Sequence, residues 1–253
     1  MKSYPWRKAI VVGASSGIGE EIARQLGRAG VQVALVGRRE EQLQTVCADI
    51  NRHAGAELAF AAAHDVRERE DLCALFQQIT VRLMGLDLIV YAAGVMPRVE
   101  PQAYPTDADR DTIDVNFTGA VAWLNEAATR FERAREGTIV GISSVAGDRG
   151  RRGNPVYGAA KAALSTYLES LRNRLAVRGV TVTTVKPGYV RTALVEGVEL
   201  PKIFPVISPE EAARQILDAA AAGRRTVYVP PFWRYVMMAI RALPSPIMQR
   251  LNF

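Results

Sequence analysis

Cysteine and histidine are scarce in this chain of 253 residues, which has two of each. Cys47 and Cys73 lie in segments that predict helices, without a CxxC spacing or a nearby histidine cluster. We therefore expect reduced structural thiols, as in a cytosolic protein, and neither a disulfide nor a metal site. His53 and His64 are interpreted as structural residues.

Long hydrophobic runs are also missing. No apolar stretch approaches the length that a membrane-spanning helix needs. The N-terminal residues run directly into the apolar segment Ala9 to Val12, without the small-residue cleavage site of a secretory signal. The expected location is the cytoplasm.

Acidic residues are absent from the last 35 positions, 219–253, which contain five arginines. The formal net charge is +6, and the first 218 residues carry only +1 of it. Because the body is nearly neutral and no stripe of basic and aromatic residues crosses it, we do not expect nucleic acid binding.

Apolar strands alternate with amphipathic helices along the rest of the chain. This alternation predicts an α/β fold of the Rossmann type, a doubly wound parallel sheet with helices on both faces. We expect one domain over residues 1–253, of which 231–253 form a helical tail. The predicted strands, about seven, are 8–12, 31–36, 58–62, 86–91, 138–142, 180–185 and 226–229, and the predicted helices are 18–28, 40–52, 67–83, 108–133, 157–177 and one beginning at 208.

A glycine-rich loop follows the first strand and opens the first helix, with the sequence Gly13-Ala14-Ser15-Ser16-Gly17-Ile18-Gly19. Glycines let the backbone approach a pyrophosphate, and a helix N-terminus offers unpaired N–H groups to it. A glycine triplet alone also fits an ordinary turn, but its place between strand and helix favours a dinucleotide site.

The end of the second strand indicates which dinucleotide is preferred. A carboxylate there would bind the adenosine ribose of NAD and repel the 2′-phosphate of NADP. This chain instead has Gly37 followed by Arg38 and Arg39. Although arginines after a strand can be a solvated surface, guanidinium groups suit a phosphate, and NADP(H) is the expected cofactor.

Three polar residues suggest proton transfer. Tyr157 and Lys161 are four residues apart, which places both side chains on one face of a helix. A neighbouring ammonium favours the phenolate and makes the tyrosine a usable acid and base. Ser144 lies thirteen residues before Tyr157, after a strand.

These motifs together resemble the short-chain dehydrogenase/reductase family in its single-domain form of about 250 residues. The resemblance runs from residue 8 to about 230, in family order and spacing. Its motifs are Gly13-x-x-x-Gly17-Ile18-Gly19, Asp65-Val66, Ala93-Gly94, Asn116, Ser143-Ser144, Tyr157-x-x-x-Lys161, Pro187-Gly188 and Thr192.

The resemblance implies a role for each residue. Tyr157 would be the general acid and base, Lys161 would hold the nicotinamide ribose, Ser144 would bind the substrate oxygen, and Asn116 would relay protons through a water. Asp65 would contact the adenine amine and Thr192 the carboxamide, unless either is a simple cap. The expected cofactor-binding residues are Gly13, Ser15, Ser16, Gly17, Ile18, Gly19, Arg38, Arg39, Asp65, Val66, Ala93, Gly94, Tyr157, Lys161, Pro187, Gly188 and Thr192.

One departure from the family pattern follows the fourth strand. Tyr91-Ala92-Ala93-Gly94 stands where the family often has Asn-Asn-Ala-Gly. The small residues remain, but the hydrogen bonds of an asparagine side chain are lost, which puts local sheet stability in doubt.

The implied function is NADP(H)-dependent interconversion of a carbonyl and a secondary alcohol. Apolar residues from Tyr189 through Phe204 favour a small lipophilic substrate, although they could simply pack against the body. A non-catalytic NADP(H)-binding regulator is the alternative, but it would not need the intact Ser, Tyr and Lys. An epimerase or dehydratase would need a larger substrate domain after about residue 190.

Two surfaces suggest further partners. Small residues on the Tyr157 helix predict a two-fold four-helix interface with the 108–133 helix, and hence a homodimer or homotetramer. The basic, apolar tail is predicted to be helical and to border the substrate entrance. It either docks on its own subunit or a neighbour, or contacts an anionic membrane surface.

Overall fold

A computed structural model describes residues 3–100, 102–195 and 204–250. Its centre is a parallel sheet with the strand order β3-β2-β1-β4-β5-β6-β7. The order reverses direction between β1 and β4, which opens a crevice at the carboxyl ends of these two strands. The strands are β1 Lys8–Val12, β2 Gln32–Gly37, β3 Ala59–Ala63, β4 Leu88–Tyr91, β5 Thr138–Ile142, β6 Thr181–Pro187 and β7 Thr226–Val229.

Helices cover both faces of the sheet, as near-continuous apolar strands require. One core contains residues of α1, α2 and α7, and a second core on the opposite face contains residues of α3, α5 and α6. The predicted doubly wound parallel fold is therefore confirmed. The helices are α1 Gly17–Arg28, α2 Glu40–Ala54, α3 Leu72–Arg82, α4 Thr106–Ile113, α5 Gly119–Ala134, α6 Pro155–Leu175, α7 Pro209–Ala221, α8 Trp233–Ala242 and α9 Ser245–Met248.

Local sequence explains several helix boundaries. Pro155 and Pro209 occupy first-turn positions of α6 and α7, where a missing N–H costs nothing. The Ser208 hydroxyl accepts a hydrogen bond from the Glu211 amide at 3.2 Å and caps α7. Helix α3 begins at Leu72, five residues later than predicted. The Arg67 amide instead donates to the Asp65 carboxylate, in a turn that precedes the helix.

The helix predicted over 108–133 contains an interruption. Helices α4 and α5 are joined by a π-helical turn, Asp114–Thr118, in which the Gly119 amide donates to the Asp114 carbonyl. Such turns occur inside α-helices and often mark functional sites. The turn contains Asn116, one of the predicted catalytic residues.

The C-terminal helix α8 packs on the same subunit. Trp233 and Met237 are buried against Val145, which follows β5. The Trp233 ring also covers Gly188, where an added Cβ would lie 1.9 Å from its Nε1 atom. The predicted residues 251–253 of the tail lie outside the described part. Within that part, no helix has the length and apolar character needed to span a membrane.

Candidate active site

A cavity of about 1300 Å³ lies at the crevice formed by the carboxyl ends of β1 and β4. It brings together most of the residues that the sequence analysis assigns to a cofactor and to catalysis. The predicted residues on its wall are Gly13, Ser15, Ser16, Gly17, Ile18, Gly19, Arg38, Arg39, Val66, Ala93, Gly94, Ser144, Tyr157, Lys161, Pro187, Gly188 and Thr192. Asp65 and Asn116 lie behind this wall.

The glycine loop forms one end of the cavity. Gly13 has a φ of +88°, and an added Cβ would lie 2.4 Å from the Ala93 amide nitrogen, so only glycine fits there. Ser16 precedes α1 with extended backbone, and its side chain does not cap the helix. The N-terminus of α1 therefore keeps N–H groups for an anion, which is what a pyrophosphate requires.

Arginines crowd the corner of the cavity beyond β2. The Arg39 guanidinium donates hydrogen bonds to the hydroxyls of Ser15 at 2.9 Å and Ser16 at 2.6 Å. Arg38 is half-exposed, with a nitrogen 3.8 Å from the Asp65 carboxylate. This corner can bind a phosphate through two guanidinium groups and a hydroxyl.

Asp65 is engaged by Arg67, which the sequence analysis did not single out. The Arg67 Nη2 atom lies 2.7 Å from the Asp65 carboxylate, and its Nη1 atom lies 2.9 Å from that of Asp111. The hydrogen bond from Arg67 lowers the pKa of Asp65. Because Arg67 itself lines the cavity while Asp65 does not, the predicted contact between Asp65 and adenine stays a prediction.

Ser144 and Tyr157 meet on the opposite wall. Ser144 lies two residues after the end of β5, and its hydroxyl accepts a hydrogen bond from the Ala146 amide at 3.1 Å. Tyr157 lies in the first turn of α6. Burial raises the pKa of the Tyr157 phenol, whereas a hydrogen bond with Ser144 and the positive charge of Arg151 lower it. The phenol is therefore neutral, and it can donate a proton to a group in the cavity.

Lys161 lies one helical turn further along α6. Its Nζ atom donates to the Ile142 carbonyl at 3.0 Å and is 5.8 Å from the centre of the Tyr157 ring. Burial lowers the pKa of Lys161 to about 7. The buried amine therefore holds its proton less tightly than an exposed lysine, and its expected effect on the tyrosine depends on an acceptor that stabilises the ammonium form.

Asn116 faces the same region from the π-helical turn. Its Nδ2 atom donates to the carbonyls of Val95 at 2.8 Å and Thr112 at 2.9 Å, and its buried Oδ1 atom has no donor among the described residues. A Cβ on Gly94 would lie 2.9 Å from this Oδ1 atom and 3.4 Å from Lys161 Nζ. The oxygen is therefore directed to the neighbourhood of the lysine, where a water molecule could join them.

Tyr91, which stands where the family often has asparagine, makes a side-chain hydrogen bond of its own. Its buried phenol donates to the Val115 carbonyl at 2.6 Å, next to Asn116. Burial also raises the pKa of Tyr91 far above its usual range, which keeps the phenol protonated as a donor. The phenol therefore links β4 directly to the π-helical turn.

The remaining wall is largely apolar, but it contains a charge that the sequence analysis missed. The apolar part consists of Val95, Met96, Pro97, Val145, Ala146, Tyr189, Leu194 and Val195. Arg151, six residues before Tyr157, also lines this end. Among the apolar residues from Tyr189 through Phe204, Val198, Leu200 and Ile203 lie outside the described residues.

This arrangement defines an oxidoreductase that uses a nicotinamide dinucleotide: a phosphate loop, a proton-donating tyrosine and a lysine share one cavity. The short chain dehydrogenase family model matches residues 7–202. The chain belongs to that family, and it is an enzyme.

Similar proteins agree with this assignment. An uncharacterized oxidoreductase of Myxococcus xanthus is 34% identical over 249 residues, which cover 98% of this chain and 96% of the relative. Nodulation protein G of a Rhizobium species is 36% identical over 191 residues, 75% of this chain and 76% of that protein.

Solved structures have the same fold. An actinorhodin polyketide ketoreductase variant with NADPH superposes with a TM-score of 0.79 at 27% identity, over 92% of this chain and 98% of that chain. A short-chain type dehydrogenase/reductase from Mycobacterium marinum gives a TM-score of 0.80 at 27% identity, over 89% and 94% of the two chains.

Proposed function

We propose that the protein is an NADP(H)-dependent enzyme that interconverts a lipophilic carbonyl compound and its secondary alcohol. The proposal rests on one observation: Ser144, Tyr157 and Lys161 line the same cavity as the glycine loop. We further propose that residues 1–253 act as one domain.

The glycine loop, Arg38 and Arg39 would hold NADPH, which would supply the hydride that reaches the carbonyl carbon. Tyr157 gives its phenolic proton to the carbonyl oxygen, and Ser144 donates a hydrogen bond to that oxygen as negative charge develops. Lys161 binds the nicotinamide ribose and, once charged, lowers the pKa of the phenol. The buried Oδ1 atom of Asn116, which has no donor among the described residues, would accept a hydrogen bond from a water that returns a proton toward Lys161.

A tyrosine variant tests the catalytic role. Tyr157→Phe should reduce NADPH oxidation with hydrophobic ketones by at least about 100-fold, because general acid catalysis contributes on this scale. Its affinity for NADPH, measured by fluorescence titration, should stay within about twofold because the glycine loop is unchanged. Activity within tenfold of the wild type would contradict the assignment.

The preference for NADP(H) rests on the guanidinium groups of Arg38 and Arg39 near Ser15. The similar polyketide ketoreductase was solved with NADPH, which supports the same choice here. Arg38→Asp should weaken NADPH binding and improve the use of NADH, since it replaces a phosphate partner with a ribose acceptor. Arg28→Asp, which changes an arginine remote from the cavity wall, is the matched control. A wild type that already prefers NADH would refute the proposal.

A two-fold homo-oligomer is proposed through α5 and α6. Phe117 and Tyr167 form an edge-to-face pair with 6.5 Å between ring centres, and both are only partly buried. The neighbouring small residues Ala159 and Ala163 would permit close packing with a second copy. Light scattering at micromolar concentration should give a dimer or tetramer mass. Ala163→Arg should shift it to the monomer mass, and a monomeric wild type would contradict the interface.

We propose that the protein is cytoplasmic. The outer face of α8 would make a peripheral contact with an anionic membrane. Tyr235 and Met238 are 67% and 64% exposed there, beside exposed Arg234 and Arg241. Such a face suits the boundary between head groups and acyl chains. The wild type should co-sediment with phosphatidylglycerol vesicles and should be released by salt. Arg234→Glu with Arg241→Glu should abolish binding, whereas salt-independent or absent binding would refute the contact.

A further inference from the structure

Gly188, one of the predicted cofactor-binding residues, is covered by a side chain of the C-terminal helix. An added Cβ at this position would lie 1.9 Å from Nε1 and 2.2 Å from Cε2 of the Trp233 ring. The φ angle of Gly188 lies outside the left-handed region, so the backbone conformation by itself does not require a glycine. The requirement comes from the indole ring, which occupies the space that a side chain would need.

Trp233 is itself held in place by aromatic neighbours. The Tyr189 ring meets it edge to face, with 5.3 Å between ring centres. The centre of the Phe204 ring lies 4.7 Å from that of Trp233. Because side chains in a close-packed interior keep one rotamer, the buried indole is a fixed support for the backbone at Gly188.

The supported segment, residues 187–192, runs along the cavity. Its members on the cavity wall are Pro187, Gly188, Tyr189, Val190 and Thr192. The Gly188 amide donates to the Val229 carbonyl at 2.9 Å, which ties the start of the segment to the end of β7. At the other end, a Cβ on Gly17 would lie 3.1 Å from Thr192 Cγ2. The segment therefore extends from the Trp233 ring to the glycine loop.

We propose that Trp233 is a positioning residue for the nicotinamide end of the cofactor. Its ring holds the segment 187–192 in the conformation that binds the nicotinamide, while the glycine loop binds the phosphates. The inference rests on the proposed cofactor site and is independent of the substrate. It gives helix α8 a part in cofactor binding, although Trp233 lies behind the cavity wall.

Matched ligands separate the two ends of the cofactor. NADPH is compared with 2′-phospho-ADP-ribose, which lacks only the nicotinamide, by calorimetric titration of the full-length protein. NADH and ADP-ribose form a second pair, so that the test does not depend on which dinucleotide is preferred. The wild type should bind the preferred dinucleotide about tenfold or more tightly than its analogue, because the nicotinamide adds hydrogen bonds to the segment.

Variants of Trp233 should affect only the ligand that contains nicotinamide. Trp233→Ala should raise Kd for the dinucleotide by about tenfold, and for the analogue by less than about threefold, because a loosened segment must be ordered on binding. Trp233→Phe keeps a ring against Gly188 and should stay within about threefold of the wild type for both ligands. If Trp233→Ala does not fold, Trp233→Leu takes its place with the same expected result.

Met237→Ala is the matched control for lost packing. Met237 is buried on the same helix and in the same cluster as Trp233. Its truncation should lower the thermal stability and leave the ratio of the two Kd values unchanged.

An alanine at Gly188 tests the contact itself. Gly188→Ala places a methyl group where the indole lies, and should weaken dinucleotide binding by about tenfold. In a Trp233→Ala background the same change should cost less than about threefold more, because the ring that it would meet is absent and substitutions of residues in contact are not additive.

Three results would overturn the proposal. One is a wild type that binds a dinucleotide and its analogue equally well. Another is a Trp233 variant, Ala or Leu, whose affinities for both ligands fall equally or do not fall. The third is an additive effect of Gly188→Ala and Trp233→Ala. A wild type that binds a dinucleotide but reduces no ketone would refute the proposed reaction alone, whereas one that binds neither dinucleotide would refute both.

Discussion

Lys161 should destabilise the cofactor-free protein, because its ammonium group is buried away from water. Its side chain is 4% exposed and makes a hydrogen bond from Nζ to the Ile142 carbonyl. Burial lowers its pKa from 10.5 to about 7 because the charged form is poorly solvated there. Lys161→Met, which keeps the chain length and removes the charge, should therefore stabilise the cofactor-free protein at low pH.

The expected size follows from the two pKa values. One pKa unit corresponds to about 1.36 kcal/mol, so a fall in the pKa of Lys161 from 10.5 to about 7 lowers the free energy of unfolding by an amount on the order of 5 kcal/mol. The unfolded chain binds the proton more tightly, so the cost is fully present below pH 7 and disappears as the pH rises to about 10.5. Loss of the Ile142 hydrogen bond returns about 1–2 kcal/mol. The net stabilisation should be about 3 kcal/mol at pH 6 and absent near pH 10.

Urea unfolding followed by circular dichroism, at pH 6 and at pH 9.5 without cofactor, measures this difference. Lys8→Met is the control, because Lys8 is partly exposed on the first strand and does not line the cavity. A Lys161→Met variant that is less stable than the wild type at pH 6, or whose stability difference does not change with pH, would refute the reasoning.

Three further substitutions test separate links in the structure. Tyr91→Phe should lower the free energy of unfolding by about 1–3 kcal/mol and also reduce kcat, because the buried Val115 carbonyl next to Asn116 loses its donor. A change in stability with unchanged kcat would show that this hydrogen bond does not orient the site. Asp148→Asn should cost about 3–5 kcal/mol in chemical denaturation, since Lys186 is left without its counter-charge, and a loss below 1 kcal/mol would contradict a buried ion pair. Ser208→Ala should cost about 1 kcal/mol in the same assay, because the Glu211 amide loses its cap, whereas Thr at this position should be nearly neutral.

The sequence was sufficient for the sheet and for the position of the glycine loop between β1 and α1. β1 and β7 have the predicted bounds, because short apolar runs between turn residues determine them. The loop from Gly13 to Gly19 was predictable because its glycines are needed for the local backbone conformation. Its position between a strand and a helix can also be read directly from the sequence. The same holds for Tyr157 and Lys161, whose helical spacing alone places them on one face.

Other features depend on contacts between distant segments. Arg67 resembles any surface arginine in sequence, yet the fold brings it to Asp65 and Asp111. The covering of Gly188 by Trp233 joins positions 45 residues apart, and no local pattern predicts which face of a tail helix will dock. Arg151 could have been singled out by its position six residues before Tyr157, but only the cavity gives that position a meaning.

Burial shifts the pKa values of the two central groups of the site in opposite directions, and both shifts keep the Tyr157 phenol in its protonated form. It raises the pKa of Tyr157 and lowers that of Lys161, so that near neutral pH the phenol keeps its proton and the amine is partly uncharged. A protonated phenol is the form that delivers a proton to a carbonyl oxygen, whereas alcohol oxidation needs the phenolate as a base. Formation of the phenolate requires positive charge close to Tyr157. This charge comes from a ribose-bound Lys161 ammonium or from Arg151. Under the proposed function, we expect alcohol oxidation to need a higher pH than carbonyl reduction, because only oxidation requires the phenolate.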